Sequence, residues 1–160
     1  MIAVQNILPY VLFGRAEVLQ RLNRHSEAVA DWDMALKLDD GRMSMAIRER
    51  RGYSLARDGQ HVRAFADANE LFGMRQPGPA TTYDCACICA ICITKVGDNK
   101  SLAEKYAVRA VELLRQAVAK GFSNFLHLVN DGDLAPLRGR DDFTALLWEI
   151  AEATSGKSKP

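Results

Sequence analysis

The sequence predicts an all-α fold of about three helical hairpins and a C-terminal capping helix, within one domain spanning residues 1–153. Between residues 15 and 40, apolar side chains recur at helical spacing on both sides of a short polar break. The pattern returns 36 residues later, because Gly52 stands where Ala16 stood (52 − 16 = 36). A third apolar stretch follows Gln76-Pro77-Gly78-Pro79, where two prolines prevent a helix from continuing.

The first hairpin is predicted over residues 9–40. Pro9 suits the first turn of a helix, because its missing N–H has no intrahelical partner there, and this helix should run to about Leu22. Ser26 is the expected N-cap of the second helix, which should end near Leu38. Each helix carries one apolar stripe, so the two helices should pack against each other.

The second and third hairpins are predicted over residues 44–76 and 79–121. The second is less well filled, because Ala68 stands where the first hairpin has a tryptophan. In the third, a cysteine-rich helix is followed by Ser101-Leu102-Ala103-Glu104, which has the spacing of a capping box. Gly121 is the expected C-terminal cap of the helix that this box begins.

Residues 122–153 depart from the hairpin pattern and are predicted to cap the array. The segment should contain a short helix over 123–129, a turn-rich link over 130–136, and a last helix from the N-cap Asp141 to about Glu152. A helical array must cover its last apolar face, which is the role expected of this segment.

The last helix should bury one stripe, and the rest of the C-terminus should be polar. Trp148 lies off the stripe, so it either folds back on the preceding hairpin or marks an exposed contact to another chain. Residues 154–160 are small and polar, and we expect them to be disordered. The predicted buried stripe consists of Phe143, Leu146, Leu147 and Ile150.

Composition and charge are those of an ordinary globular domain. The chain is 48% hydrophobic and 26% charged, and its formal net charge of +1 provides no overall attraction to nucleic acid or anionic membrane. No apolar run approaches the roughly 18 residues that span a bilayer. Residues 1–10 lack the pattern of a signal peptide. We therefore expect a cytoplasmic protein with neither nucleic acid nor membrane as a partner, and its cysteines should be thiols.

The first hairpin resembles the tetratricopeptide repeat (TPR) motif. The pattern A-x-x-L, about eight residues, then A-x-x-x-W-x-x-A-L-x-L-D matches the small, large, small, aromatic and small positions of that motif. Asp40 replaces the proline that usually ends the motif. The resemblance implies a right-handed α-solenoid that binds other proteins and needs no cofactor. The matching positions are Ala16, Leu19, Ala28, Trp32 and Ala35.

Residues 83–152 resemble, more narrowly, the C-terminal end of the repeat arrays attached to bacterial serine/threonine protein kinases. The likeness rests on Y-D-C-A-C-I-C-A, A-V-E-L-L-R-Q-A-V-A-K-G-F and H-L-x-x-D-x-D-L-x-P-L-R-x-x-x-D-F-x-x-L-L. Gly132 and Ala135 depart from that tail. The resemblance implies a regulatory region without kinase activity, because no Gly-rich loop, H-R-D or D-F-G sequence is present. The matching tail positions are Asp131, Asp133, Leu134, Pro136, Leu137, Arg138 and Phe143.

In TPR proteins the first helices of successive hairpins line a concave groove, so the resemblance implies a groove that binds a peptide or a partner protein. Aromatic residues with arginines are typical of binding hot spots, although the aromatic residues could instead pack between repeats. Phe13 and Glu17 stand where relatives that bind chaperone tails have Lys and Asn, which argues against a C-terminal carboxylate ligand. The implied groove positions are Tyr10, Phe13, Glu17, Gln20, Arg21, Glu49, Tyr53, Arg57, Tyr83 and Cys87.

Two alternatives to a binding module stay open. One is a metal- or redox-active helical protein that uses the Cys85–Cys92 cluster, with polar groups converging around Cys87 or His127. Against it, Cys85, Cys89 and Cys92 share one helix face and Cys87 points the other way, so four thiolates cannot meet at one zinc ion. The other alternative is a purely structural spacer.

Other chemistry-bearing residues favour structural roles, and no motif of an enzyme is present. His25 and His61 start equivalent helices and are interpreted as half-buried packing residues rather than catalytic ones. The segment 130–133 lacks the distal Glu of a calcium loop and is interpreted as a turn. Self-association through Trp148 or an uncapped N-terminal end remains open. A cluster of arginines is interpreted as a solvated helix face: Arg42, Arg48, Arg50, Arg51, Arg57 and Arg63.

Overall fold

The computed structural model describes residues 2–74 and 77–155, with side chains from Ile7 onward. Every regular element within these ranges is helical, so the predicted all-α fold is confirmed for this part of the chain. The chain divides into two compact units, residues 1–76 and 77–160, at the predicted proline break. The continuation of both units as one repeat domain stays a prediction.

Unit 1 contains four helices that pack in neighbouring pairs. The first helix packs on the second and the third on the fourth, while the second also packs on the third and the first contacts the third. The helices are α1 (Ile2–Arg21), α2 (His25–Leu38), α3 (Ser44–Arg57) and α4 (His61–Gly73).

The two hairpins of unit 1 repeat with a spacing of 36 residues. In the turn of the first hairpin, the backbone N–H of Arg24 donates a hydrogen bond to the carbonyl of Leu19. In the turn of the second, the N–H of Gln60 donates to the carbonyl of Leu55, and both bonds are 2.9 Å long. Both turns contain a residue with positive φ, 56° in the first turn and 88° at Gly59 in the second. Asparagine and glycine are the residues that accept this left-handed conformation most readily, and the first turn has Asn23 there.

Trp32 is the centre of the core of unit 1. Its indole is fully buried, and its Nε1 donates a hydrogen bond of 3.2 Å to Oγ of Ser54 on α3. Phe13 of α1 meets the indole edge-on, with ring centroids 4.8 Å apart. The indole thus joins α1, α2 and α3, and the surrounding buried side chains are Leu12, Ala16, Ala28, Ala35 and Ile47.

Each hairpin of unit 1 also carries one internal ion pair at the same place. Nε of Arg15 donates to Oδ2 of Asp31 at 2.6 Å, and Nε of Arg51 donates to Oδ2 of Asp67 at 2.8 Å. The two pairs are 36 residues apart (51 − 15 = 36 and 67 − 31 = 36). The guanidinium forks compensate for burying both carboxylates, which are nearly inaccessible to solvent.

Unit 2 is built around a helix that is buried on most of its circumference. This helix, α5, packs on α6 and on a 3₁₀ helix, and α6 also contacts α8. The predicted stripe of α8 is confirmed at Phe143, Leu146 and Ile150, while Leu147 is half-buried. The elements are α5 (Pro79–Ile93), α6 (Lys100–Ala119), α7 (Phe125–Asn130), the 3₁₀ helix Gly132–Leu137 and α8 (Asp141–Ser155).

Two predicted helix starts in unit 1 are wrong, whereas the predicted ends near Leu22 and Leu38 agree with the structure within one residue. The first helix already runs from residue 2, with Pro9 inside it and its ring buried, so the proline does not begin the helix. Ser26 is not an N-cap, because α2 starts at His25 immediately after the tight turn. Arg24 precedes the helix and is held by Glu27, whose Oε1 accepts from its Nε at 2.6 Å.

The ends of the unit 2 helices follow the sequence signals in part. Gly121 has a φ of 103° and closes the end of α6, as predicted. The capping box at Ser101 is wrong, because the side chain of Asn99 caps this helix by accepting from the N–H of Leu102 at 3.0 Å. The last helix continues to Ser155, so the predicted disordered tail is wrong for its first two residues, and residues 156–160 lie outside the described residues.

Candidate functional site

The predicted groove residues of unit 1 lie on α1 and α3, which are neighbours. Of these residues, Tyr10, Arg21 and Arg57 are exposed, and the others are half-buried. We call this set the α1/α3 surface, and it consists of Tyr10, Phe13, Glu17, Gln20, Arg21, Glu49, Tyr53 and Arg57.

Polar contacts hold α1 beside α3 at this surface. Nε of Arg50 lies 3.9 Å from Oε1 of Glu17, and Oγ of Ser54 donates to Oε1 of Gln20 at 3.2 Å. The same hydroxyl accepts from the buried indole of Trp32, so the surface is connected directly to the core of unit 1.

The aromatic residues of the α1/α3 surface differ in their environment. Tyr10 is exposed over 54% of its surface, whereas Phe13 packs edge-on against Trp32 and forms part of the interface between helices. Tyr53 is half-buried on α3. Tyr10 is thus the most exposed of the three, and Phe13 packs within its own hairpin rather than between repeats. That these residues line a groove stays a prediction.

Two arginines end the first helices of the two hairpins. Arg21 is the last residue of α1 and Arg57 the last of α3, and both are exposed. They occupy equivalent places, because 57 − 21 = 36. A cation in the last turn of a helix is favoured by the helix dipole, and a guanidinium can donate several hydrogen bonds to a carboxylate or a carbonyl of a ligand.

The structure corrects the predicted positions of the two groove residues in unit 2, Tyr83 and Cys87. Tyr83 is only 4% exposed and Cys87 is fully buried, so neither side chain is available to a ligand in an open groove. The ring of Tyr83 stacks on Phe122, with centroids 4.3 Å apart and planes 3° apart. Its hydroxyl donates to Oδ2 of Asp131 at 2.6 Å.

Several groups converge on that carboxylate of Asp131. Sγ of Cys87 lies 3.7 Å from Oδ2, Nε2 of His127 lies 3.3 Å from it, and the N–H of Asp133 donates to Oδ1 at 2.9 Å. Burial raises the pKa of Asp131, but the hydrogen bonds from Tyr83 and Asp133 and the charge of His127 outweigh it, so the pKa lies below its usual value. The ionised carboxylate joins α5 to the 3₁₀ helix.

The groups that converge on Asp131 differ in their exposure to solvent, because His127 is about half exposed whereas Tyr83 and Cys87 are buried. The thiol of Cys87 has no exposed surface through which a substrate could reach it. Burial raises the pKa of the Tyr83 hydroxyl, so the phenol stays protonated and acts as a donor. The arrangement therefore stabilises the packing of unit 2 rather than presenting a nucleophile.

The other three cysteines are also buried, and none of them forms a disulfide. Burial raises the pKa of Cys92 to about 12 and places that of Cys89 well above its ordinary value. A thiolate is the reactive and metal-binding form, so both groups are held in the unreactive state. Within the described residues, no three His, Cys, Asp or Glu side chains are grouped so that they could hold a metal ion.

Arginines of the predicted solvated cluster form ion pairs with acidic residues of α2 and α4. Nη2 of Arg63 lies 2.7 Å from Oδ1 of Asp33, and Nη1 of Arg51 lies 2.9 Å from the same oxygen. Arg48 contacts Asp67 at 3.3 Å and Glu70 at 2.8 Å. Sequence reasoning missed these acidic partners. The repeated 16-residue spacing from Arg15 to Asp31 and from Arg51 to Asp67 was a signal that could have found one of them, Asp67.

The described structure places the chain in the class of all-helical proteins whose helices pack as neighbouring pairs. The two pairs of unit 1 repeat after 36 residues. No protein-family model, curated protein or solved structure matches the chain. Among the described helices, none is long and apolar enough to cross a lipid bilayer.

Proposed function

We propose that this protein is a protein–protein interaction module of the TPR type, in which the α1/α3 surface binds a peptide or a partner protein. The observation that carries the proposal is the contact of α1 with α3, which places an exposed tyrosine and two equivalent terminal arginines on neighbouring helices. Tyrosine and arginine are the side chains most enriched in binding hot spots.

The repeat spacing supports an α-solenoid. Equivalent helices of unit 1 end or begin 36 residues apart, and their turns are closed by the same pair of backbone hydrogen bonds. An array of such hairpins, right-handed as in TPR proteins, would extend the α1/α3 surface into a concave groove. The likeness of residues 83–152 to kinase-associated repeat arrays supports a place in the regulatory region of a serine/threonine kinase.

The chemistry of the surface favours a ligand with carboxylate or carbonyl acceptors. Arg21 and Arg57 can donate to such groups, while Glu17 and Glu49 limit the net charge of the surface. A strongly anionic polymer fits less well. Three arginines of the predicted cluster, Arg48, Arg51 and Arg63, already form ion pairs with Glu70, Asp67 and Asp33. The metal or redox alternative is not proposed, because burial disfavours the thiolate form of Cys89 and Cys92.

The experiment is selection of peptide ligands against the full chain, followed by fluorescence anisotropy on the best peptide. Tyr53→Ala combined with Arg57→Ala should weaken binding at least about tenfold, as expected for hot-spot residues. Because Tyr53 is half-buried, Tyr10→Ala combined with Arg21→Ala is the second test, and both of its side chains are exposed.

The matched control is Trp148→Ala combined with Lys95→Ala, which removes an exposed aromatic residue and an exposed cation from unit 2. This control should keep the parent affinity, and thermal unfolding should show that every variant is folded. The proposal fails if folded Tyr10→Ala/Arg21→Ala and Tyr53→Ala/Arg57→Ala proteins both bind as tightly as the parent.

A further inference from the structure

A second surface of unit 1, on the side of the first hairpin that carries the Arg15–Asp31 pair, is unusually apolar. Leu8, Val11, Arg15, Val18 and Leu22 follow one another at helical spacing along α1. Among the described residues, six large apolar side chains on this side are between 41% and 60% exposed. We call this the outer face, and its apolar residues are Leu8, Val11, Val18 and Leu22 of α1 with Met34 and Leu38 of α2.

The outer face contains a groove of about 500 Å³ between α1 and α2. Val18 and Leu22 line one side and Ala30 the other, and the Arg15–Asp31 ion pair lies in its wall. Met34 and Leu38 follow Ala30 at intervals of four residues, so they continue the same side of α2. The groove thus combines apolar side chains with the charged side chains of Arg15, Arg24, Glu27 and Asp31, and further exposed apolar residues follow it along both helices.

The equivalent face of the second hairpin is covered by a helix. The residues 36 positions after Val11, Arg15 and Val18 are Ile47, Arg51 and Ser54. Ile47 and Ser54 have no exposed surface.

The helix that covers this second face is α2. Trp32 donates to Ser54, and Asp33 accepts from Arg51 and Arg63. The same face is thus a helix–helix interface in one hairpin and open in the other.

From this equivalence we propose that the outer face binds an amphipathic helix of a partner protein, seated as α2 is seated on α3. The proposal concerns a different face from the α1/α3 surface and does not depend on the proposed function. The side chains expected on the partner helix follow from two equivalent positions at which the two hairpins carry different residues.

The first substitution is Val18, which stands where the second hairpin has Ser54 (54 − 36 = 18). The hydroxyl that accepts from the indole N–H of Trp32 is therefore missing. A polar N–H would be buried there without an acceptor, so the partner helix carries phenylalanine or leucine at this point rather than tryptophan.

The second substitution is Glu27, which stands where the second hairpin has Arg63 (63 − 36 = 27). Asp33 lies between Arg51 and Arg63, but the corresponding place on the outer face lies between Arg15 and Glu27. Arg24 is already paired with both oxygens of Glu27, so a carboxylate at this place would meet Glu27 where Asp33 has a second arginine. An asparagine or glutamine can accept from Arg15 and donate to Glu27, so the partner helix carries an amide after its phenylalanine or leucine.

The probe is a fluorescein-labelled, end-capped peptide with the α2 sequence His25–Leu38, carrying Trp32→Phe and Asp33→Asn. Anisotropy titrations with the full chain should show binding at least about tenfold tighter than for the unchanged α2 peptide. Val18→Lys in the protein should abolish binding up to 1 mM peptide, a limit of roughly −4 kcal/mol. Val62→Lys is the matched control, because Val62 is an exposed valine of α4, and it should bind like the parent.

Thermal unfolding should show that Val18→Lys and Val62→Lys are folded, since both valines are exposed. Tyr10→Ala/Arg21→Ala should leave peptide binding unchanged, which separates this inference from the proposed function. The inference is overturned if neither peptide binds, if the unchanged peptide binds as tightly as the substituted one, or if Val18→Lys has no effect. Sedimentation equilibrium that shows a dimer dissociated by Val18→Lys would also overturn it, because the face would then be occupied by a second copy.

Discussion

The hydroxyl of Tyr83 donates a 2.6 Å hydrogen bond to Oδ2 of Asp131, a residue 48 positions further along the chain. The bond joins the middle of a buried helix to the turn that begins the 3₁₀ helix of unit 2, and the ring of Tyr83 is stacked on Phe122. One residue thus secures two separate stretches of chain, through its ring and through its hydroxyl.

Removing only the hydroxyl tests this connection. We expect Tyr83→Phe to lower the free energy of unfolding by about 1–3 kcal/mol, because a half-buried carboxylate loses a charge-assisted hydrogen bond. Urea denaturation followed by circular dichroism measures the change. Tyr10→Phe is the control, and its exposed hydroxyl should matter by less than about 0.5 kcal/mol. Equal effects of the two substitutions would contradict the assigned role of Tyr83.

The lowered pKa of Asp131 predicts a specific loss of stability in acid. A carboxyl whose pKa is lower in the folded than in the unfolded state binds protons more readily when unfolded. Its contribution is therefore present above the unfolded pKa of about 4 and is lost as the pH falls through the folded value. The measurement is the unfolding midpoint in urea between pH 7 and pH 2. Asp131→Asn should be less stable at neutral pH and should lose less stability on acidification than the parent.

The two repeated ion pairs predict unequal costs of truncation. Arg51 is largely buried, and its loss would leave the carboxylate of Asp67 with only the longer contact from Arg48. We expect Arg51→Ala to cost about 3 kcal/mol, the lower end of the range for breaking a buried pair. Arg15→Ala should cost less, because water can reach Asp31 once the exposed guanidinium is removed. Thermal and urea unfolding of both variants measures this order, and the reverse order would refute it.

The two tryptophans should respond in opposite ways to truncation. Trp32→Ala removes a fully buried indole at the junction of three helices, so we expect a loss of about 3–5 kcal/mol of unfolding free energy. Trp148→Ala removes a side chain that is 67% exposed, so it should change the free energy of unfolding by less than about 0.5 kcal/mol. Urea denaturation monitored by circular dichroism compares both with the parent protein. A large loss from Trp148→Ala would mean that this indole packs in solution.

Sequence reasoning recovered most of the helices but only part of the candidate site. The stripe of α8 and the spacing between the hairpins of unit 1 followed from periodicity alone. Periodicity placed Trp148 off that stripe but left open whether it is exposed or folds back on the preceding hairpin. Helix starts were less predictable, because Asn99 and Ser101 are both good capping residues and the backbone path decides between them. The motif register placed Tyr83 in a groove, but its partners Phe122 and Asp131 are too distant in sequence for any spacing rule.

The sequence by itself determined that this protein is helical and where its hairpins turn. Helix formation and turn closure depend on residues three to five positions apart, so local pattern is sufficient for both. Only the tertiary structure decided which helix faces are covered. Val18 and Ser54 occupy the same place in their hairpins, yet Val18 is exposed and Ser54 is buried. Trp32 of α2 covers Ser54 and donates to it, whereas no described helix covers the face of α1 that carries Val18. Burial depends on that distant contact, and the partner surfaces of the protein depend on burial.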